Sequence, residues 1–296
     1  MYNILNVMSE AGCLKDGIFQ NLGVEGSLNV NTDSNINHSL KSRHRYYLEE
    51  FFTQRPVINV DLNSATEATR VVANRNFEVE GTNMASSNCT FDTERGGVKI
   101  QTAGADQDQA IIIPHTDTNQ TAWNNIKWYP NKQTEWECSL TTGSSIDNIK
   151  IWAGLKLTSD QLLATDDDQA YFKFQTDSDN SEVFTTFANL HFVYSVGGTD
   201  YISDLGIAVT ANTTYHLRIK IVKIDSNYKA SVFVNGTQYS LTSTSGPTGG
   251  TTTGIGTTKS LALTAAADLK PYIGVEAGDG AQKDIIVHYQ AINRLV

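Results

Sequence analysis

Residues 214–224, TYHLRIKIVKI, carry Tyr215, Leu217, Ile219 and Ile221 at every second position, with His216, Arg218 and Lys220 between them. A β-strand sends alternate side chains to opposite faces, so this run predicts a strand with one buried and one solvated face. The next stretch, YKASVFVNGTQYSL (228–241), sets Asn235-Gly236 between two further strand-like runs. Asn-Gly suits the positive φ angles of a two-residue type I′ hairpin turn. Asp225-Ser226-Asn227 turns the first run into the second. Residues 214–241 therefore read as a three-stranded antiparallel meander, and a meander needs a second layer to bury its apolar face.

The rest of the chain supplies that layer. EWECSLTTG (135–143) alternates Trp136, Cys138 and Leu140 against Glu135, Glu137 and Ser139. IIIP (111–114), WAGLKLT (152–158), AYFKFQT (170–176) and NLHFVYSVGG (189–198) are strand-like. So are 261–265, 272–276 and 285–295, which follow a Gly- and Thr-rich loop at 242–256. Charged residues make up 18% of the chain, below the roughly 25% usual in globular proteins. Thr, Ser, Asn and Gly fill the gap, which suits strands and turns. The expected architecture is all-β: an antiparallel β-sandwich over 77–296, preceded by an extended N-terminal arm over 1–76.

Within the arm, NLGVEGSLNVNTDSNINHS (21–39) is polar and rich in turn formers, so 1–42 is expected to be ordered only against another chain. SRHRYYLEEFFTQRP (42–56) differs. Ser42 suits a helix N-cap and Pro56 a stop, which predicts a short helix near 43–54. Tyr47, Leu48, Phe51 and Phe52 would share one helical face as a partner-anchoring patch, or would pack on the chain's own domain.

The net charge of −10 and pI near 5.0, with no basic stripe, argue against nucleic acid as a partner. No run is long and apolar enough to span a bilayer, and no basic-then-apolar opening suggests a signal peptide. Cys13, Cys89 and Cys138 have neither the spacing of a zinc site nor an even-numbered disulfide framework.

Asp166, Asp167 and Asp168, with Asp177 and Asp179 beyond the next strand, are candidate calcium ligands, since calcium takes several oxygens. The plainer reading is an acidic turn, because EF-hand spacing is absent. Trp123 and Trp128 flank Asn124-Asn125, a candidate glycan contact by stacking; the plainer reading is a pair of core or rim aromatics. His115, His191, His216 and His288 form no metal-binding motif.

Two resemblances add to this. "TYHLRIKI…DSNYKASVFVNGTQYSL" (214–241) and "PYIGVEAGDGAQKDIIVHYQAINRLV" (271–296) resemble the concanavalin-A/laminin-G-like jelly roll, which implies that fold for 77–296. Glucanases of this sandwich carry an E-x-D-x-(x)-E strand. Glu135 and Glu137 stand in that kind of strand, but Cys138-Ser139 follows where an acid is needed, so no enzyme is expected. "RYYLEEFFTQRP" (45–56), "NFEVEGTNM" (76–84), "DQAIIIPHTDTNQTAWNNIKW" (108–128) and "IWAGLKLT…TDDDQAYFKF" (151–174) resemble virion structural proteins of tailed bacteriophages, cyanophages included. That resemblance implies a capsid decoration or head accessory protein, assembled in the host cytoplasm and located in the virion. Its partners would be the major capsid protein, other virion proteins and copies of itself. The alternative is a tail fibre or lectin-like receptor-binding protein that recognises a host surface glycan. No cofactor is expected beyond the candidate calcium.

Overall fold

Strands form where the sequence alternates, and they assemble into two sheets that face each other across one core. The computed structural model describes residues 45–59, 76–114, 126–160, 166–177, 188–224, 226–239, 243–245, 251–252 and 262–296. Its strands are numbered in chain order. The eight-stranded sheet runs β14 (Thr237–Tyr239), β13 (Asn227–Val234), β12 (Thr214–Ile224), β7 (Glu135–Thr142), β18 (Asp284–Leu295), β5 (Val98–Gln101), β4 (Cys89–Phe91). Strand β1 (Arg45–Glu50) pairs with β18 as well. The ten-stranded sheet runs β16 (Thr251–Thr252), β15 (Ser243–Ser245), β11 (Thr199–Ala208), β10 (Asn189–Val196), β9 (Gln169–Gln175), β8 (Ile149–Lys156), β17 (Lys270–Ala277), β6 (Gln109–Pro114), β3 (Phe77–Gly81), β2 (Val57–Asn59). Every pairing is antiparallel except β2 with β3. The fold is a two-sheet, predominantly antiparallel β-sandwich.

The meander at 214–241 is β12, β13 and β14, paired as the alternation demands. Asn235 and Gly236 hold φ of +50° and +80° at the hairpin, the positive pair that the turn requires. Trp136, Leu140, Leu217, Ile219 and Val232 from one sheet meet Val79, Ile112, Ile151, Phe172 and Ile273 from the other.

Two expectations need correction. The segment predicted as a helix over 43–54 contains strand β1, registered from Arg45 opposite Leu295 to Glu50 opposite Gln290. The i, i+4 spacing of its aromatics was compatible with a helix. Ladder hydrogen bonds to β18, a long-range partner, decide otherwise. The sandwich also begins before residue 77: β1 and β2 belong to its sheets, and His44–Val296 is one compact unit. The arm expected over 1–42 lies outside the described residues.

The expectation of one solvated face holds for only one sheet. In β12 buried and accessible residues alternate along most of the strand. In β8, β9 and β17 every residue is buried. The outer face of the ten-stranded sheet has its own apolar cluster, built from Ile111, Ile113, Trp152, Tyr171, Val193, Ile202 and Tyr272. Register places Tyr272, Gly154, Tyr171, Val193 and Ile202 in one row across five strands. Gly274 sits under the Trp152 indole, where a Cβ would lie 2.2 Å from Cζ2, so only glycine admits the ring.

Candidate functional site

Buried ion pairs flank that apolar row. On one side Lys150 bonds Glu276 and lies 2.9 Å from Asp177. Burial pulls the Lys150 ammonium pKa down, but the two carboxylates outweigh it and leave the value raised. On the other side Lys156 donates to Gln169 Oε1, Gln169 Nε2 to Ser195 Oγ, and Ser195 Oγ to Asp200. This chain runs one way, from ammonium to carboxylate. Lys156 also sits 4.3 Å above the Tyr171 ring and 3.3 Å from Asp166. Lys150, Lys156 and Glu276 are buried, so these groups lock one another and offer no open surface.

The open chemistry lies on the outer face of the eight-stranded sheet. A depression of about 310 Å³ is lined by Glu137, His216, Arg218, Phe233, Gly236 and Tyr289, with Cys138 and Leu217 beneath. Register explains the assembly. Phe233 on β13 faces Arg218 on β12, and Arg218 faces Glu137 on β7. All three lie on the face opposite to the core residues Val232, Leu217 and Trp136. Tyr289 joins them through a bulge in β18, whose register with β7 shifts between Val287 and Tyr289. The extra residue lets two consecutive side chains serve the same outer face. His288 bonds Thr141 Oγ1 at 2.7 Å, and Tyr289 donates to Glu137 Oε1 at 2.9 Å.

The charges of the depression are only partly paired. Arg218 Nε donates to Glu135 Oε1 at 2.6 Å, and a second guanidinium nitrogen bonds the same oxygen. Glu135 is thereby taken up, while Glu137 Oε2 lies 3.8 Å from Arg218 Nε, beyond hydrogen-bond reach. The guanidinium also lies 5.4 Å from the Phe233 ring centre, a cation–π distance. Among the described residues, the His216 ring has no hydrogen-bond partner. Burial raises the Tyr289 phenol pKa, and the neighbouring Glu137 carboxylate adds to the rise. Burial also pushes the Tyr47 phenol up, to about 12, against the lowering effect of Tyr289. Both phenols stay protonated and can donate.

The sequence-derived candidates are placed as follows. Glu135 and Glu137 share the outer face, as their alternation implies, with Trp136 and Cys138 in the core. Tyr47, Leu48, Phe51 and Phe52 do not form one patch. Leu48 packs against the core, and Phe52 is buried, its ring 6.1 Å from that of Phe77. Tyr47 and Phe51 lie against Tyr289 instead. The anchoring patch is thus divided, because a strand separates neighbours that a helix would have gathered. Trp128 is 1% exposed within the core, so it cannot stack on a sugar. Trp123 lies outside the described residues.

The acidic run is also divided. Asp166 accepts the N–H groups of Leu157 and Thr158 at 2.9 and 3.1 Å, and the Thr158 hydroxyl at 2.7 Å. Asp168 accepts the Thr264 N–H at 2.8 Å, and the Asp167 carbonyl accepts Gly198 N–H. Those two carboxylates fasten backbone rather than converge on one point. Asp179 lies outside the described residues.

Phe233 and Tyr289 were not singled out from the sequence, and the alternation marks His216 and Arg218 only as outward strand residues. An outward aromatic between Val232 and Val234 was a legible signal for Phe233. The bulge that aims Tyr289 was not.

No protein-family model and no curated protein matches the chain. Solved structures that superpose on it include a protein of unknown function from Shewanella oneidensis MR-1, at 12% identity and TM-score 0.47, covering 92% of this chain and 97% of that one. Peanut lectin superposes at 7% identity and TM-score 0.44, covering 84% and 97%. A β-1,3-glucanase from Mycobacterium marinum does so at 9% identity and TM-score 0.43, covering 83% and 97%. At such identities these proteins lend the chain no residue, ligand or activity.

Proposed function

We propose that the chain is a non-catalytic recognition protein that binds a neutral saccharide on the outer face of its eight-stranded sheet. One observation carries this reading: the depression sets two aromatic rings, Phe233 and Tyr289, around accessible polar groups of Glu137, Arg218 and His216. Aromatic faces stack on the C–H faces of a pyranose, and fixed polar groups select among its hydroxyls. Glu135 already neutralises Arg218, and Glu137 would repel an anionic sugar, so a neutral one fits best. Hydrolysis would need a second carboxylate free to act as acid, base or nucleophile. Glu135 is tied to Arg218, which supports the non-catalytic reading.

The test is retention of the intact protein on immobilised neutral manno-, gluco- and galacto-oligosaccharides, with uronic- and sialic-acid glycans beside them. Phe233→Ala and Glu137→Gln should each weaken retention on neutral sugars at least tenfold, leave melting unchanged, and release no shortened sugar. Retention on none of these, or equal retention by both variants, would contradict the proposal.

A second reading is favoured by one feature. Six register pairs, from Arg45 opposite Leu295 to Glu50 opposite Gln290, fasten the chain just after residue 44 into the eight-stranded sheet. A preceding segment that docked elsewhere would be tethered directly to the sandwich. This fits a virion structural protein whose residues 1–44 engage the capsid protein. Deleting 1–44 should then abolish incorporation into particles while melting of the sandwich is unchanged. Normal incorporation would remove this reading.

A further inference from the structure

We infer that Phe51 is a second binding platform, so that the ligand is an oligosaccharide lying across the strands rather than a single sugar. The inference rests on the saccharide reading above and extends it beyond the depression. Phe51 is 55% exposed, and its ring centre lies 5.0 Å from that of Tyr289, which lines the depression. The next residue, Phe52, holds φ of +52°, a left-handed conformation that a phenylalanine rarely adopts. The Glu50 side chain accepts the Phe52 N–H at 2.7 Å and fixes that turn.

The strained turn has two results. It sends Phe52 into the core, and it leaves Phe51 outside on the Tyr289 ring. Burial accounts for Phe52. It does not account for Phe51, where a polar residue would leave the same turn and the same buried ring. An exposed phenyl held in place beside an open polar depression is the arrangement a sugar face needs.

The geometry also sets the direction of the ligand. From Phe233 on β13 to Tyr289 on β18 the face crosses three strand spacings, about 14 Å in all. Strand β1, which leads into Phe51, lies beside β18 on the far side from β7. Phe233, Tyr289 and Phe51 therefore follow one another obliquely across the strands, with Arg218 and Glu137 between the first two, because Tyr289 stands opposite Ser139 and not opposite Glu137.

The experiment is calorimetric titration of the full chain with neutral manno-, gluco- and galacto-oligosaccharides of one to four residues. Phe51→Ala and Phe51→Trp are compared with the parent protein, with melting and light scattering recorded for each. In the series that binds, the parent should gain at least tenfold in affinity from one residue to three or four. Phe51→Ala should lose that gain, keep the monosaccharide affinity and keep its melting temperature, while Phe51→Trp keeps the gain. A gain that survives in Phe51→Ala, or equal weakening at every length, would overturn the inference and leave the saccharide reading standing. A change of oligomeric state in Phe51→Ala would assign the ring to self-association and overturn it too. Absence of binding at every length would remove the saccharide reading itself, and the inference with it.

Discussion

Strands β8, IKIWAGLK, and β12, TYHLRIKIVKI, share a feature as text, since Lys150 and Lys156 in the first and Lys220 in the second stand at even-numbered positions next to apolar residues at odd-numbered ones. In the structure their charged residues have different fates. Lys220 on β12 is partly accessible, whereas Lys150 and Lys156 on β8 are 5% and 0% exposed. A buried ammonium is tolerated only with close partners, and both lysines have them in Glu276, Asp177, Asp166 and Gln169. The outer face of the ten-stranded sheet is therefore a second interior. The outer face of the eight-stranded sheet stays accessible around Arg218, Lys220 and the depression, although Lys229 on β13 is buried, and the depression keeps polar groups available. Local alternation fixes which side chains share a face. It does not fix whether that face meets water.

The contrast can be broken at several points. Lys150→Met leaves two buried carboxylates without their cation and should cost about 3–5 kcal/mol of stability in urea unfolding. Lys220→Met on the other sheet should stay within about 0.5 kcal/mol. Equal effects would mean that the two faces are not different in kind. The two adjacent phenylalanines sharpen the same point: Phe52→Ala should cost about 3–5 kcal/mol as a lost core aromatic, and Phe51→Ala less than about 0.5 kcal/mol. A sharp fall in melting for Phe51→Ala would place its ring in the interior.

Gly274→Ala sets a methyl against the Trp152 ring and should cost about 1–3 kcal/mol by overpacking. Unchanged stability would show that the indole is free to move, as on a surface.

The smallest effect concerns pH. A phenol whose pKa is raised by folding contributes stability that is complete below its ordinary value. That contribution is lost as pH rises toward the folded value. For Tyr47 the window runs from about 10 to about 12. Tyr47→Phe should make the urea midpoint less sensitive to pH across that window. Identical pH dependence in parent and variant would show that the Tyr47 phenol is solvated.

The parts of the fold that depend on near neighbours were legible in the sequence. The meander at 214–241 and its Asn235-Gly236 hairpin followed from period and turn chemistry, and the inward Trp136 and Cys138 followed from alternation. What depends on distant strands was not. Residues 45–50 pair with 290–295, so their state was set by a partner about 245 positions away, and a local spacing rule read them as helix. The bulge that brings Tyr289 beside Glu137 is a register shift between two strands, and no residue type announces it. The sealing of the outer face at Lys150 and Lys156 could have been suspected from acids at matching positions on neighbouring strands. Those neighbours are known only once the sheet order is known.

Lysine acylation of the native protein, read site by site by mass spectrometry, tests most directly whether the outer face of the eight-stranded sheet is open around Lys220 while that of the ten-stranded sheet is sealed. Lys99, Lys220 and Lys223 on the eight-stranded sheet should be modified readily. Lys150, Lys156 and Lys173 on the ten-stranded sheet should stay unmodified until the protein is unfolded. Modification of the second group at rates like those of the first would contradict the account.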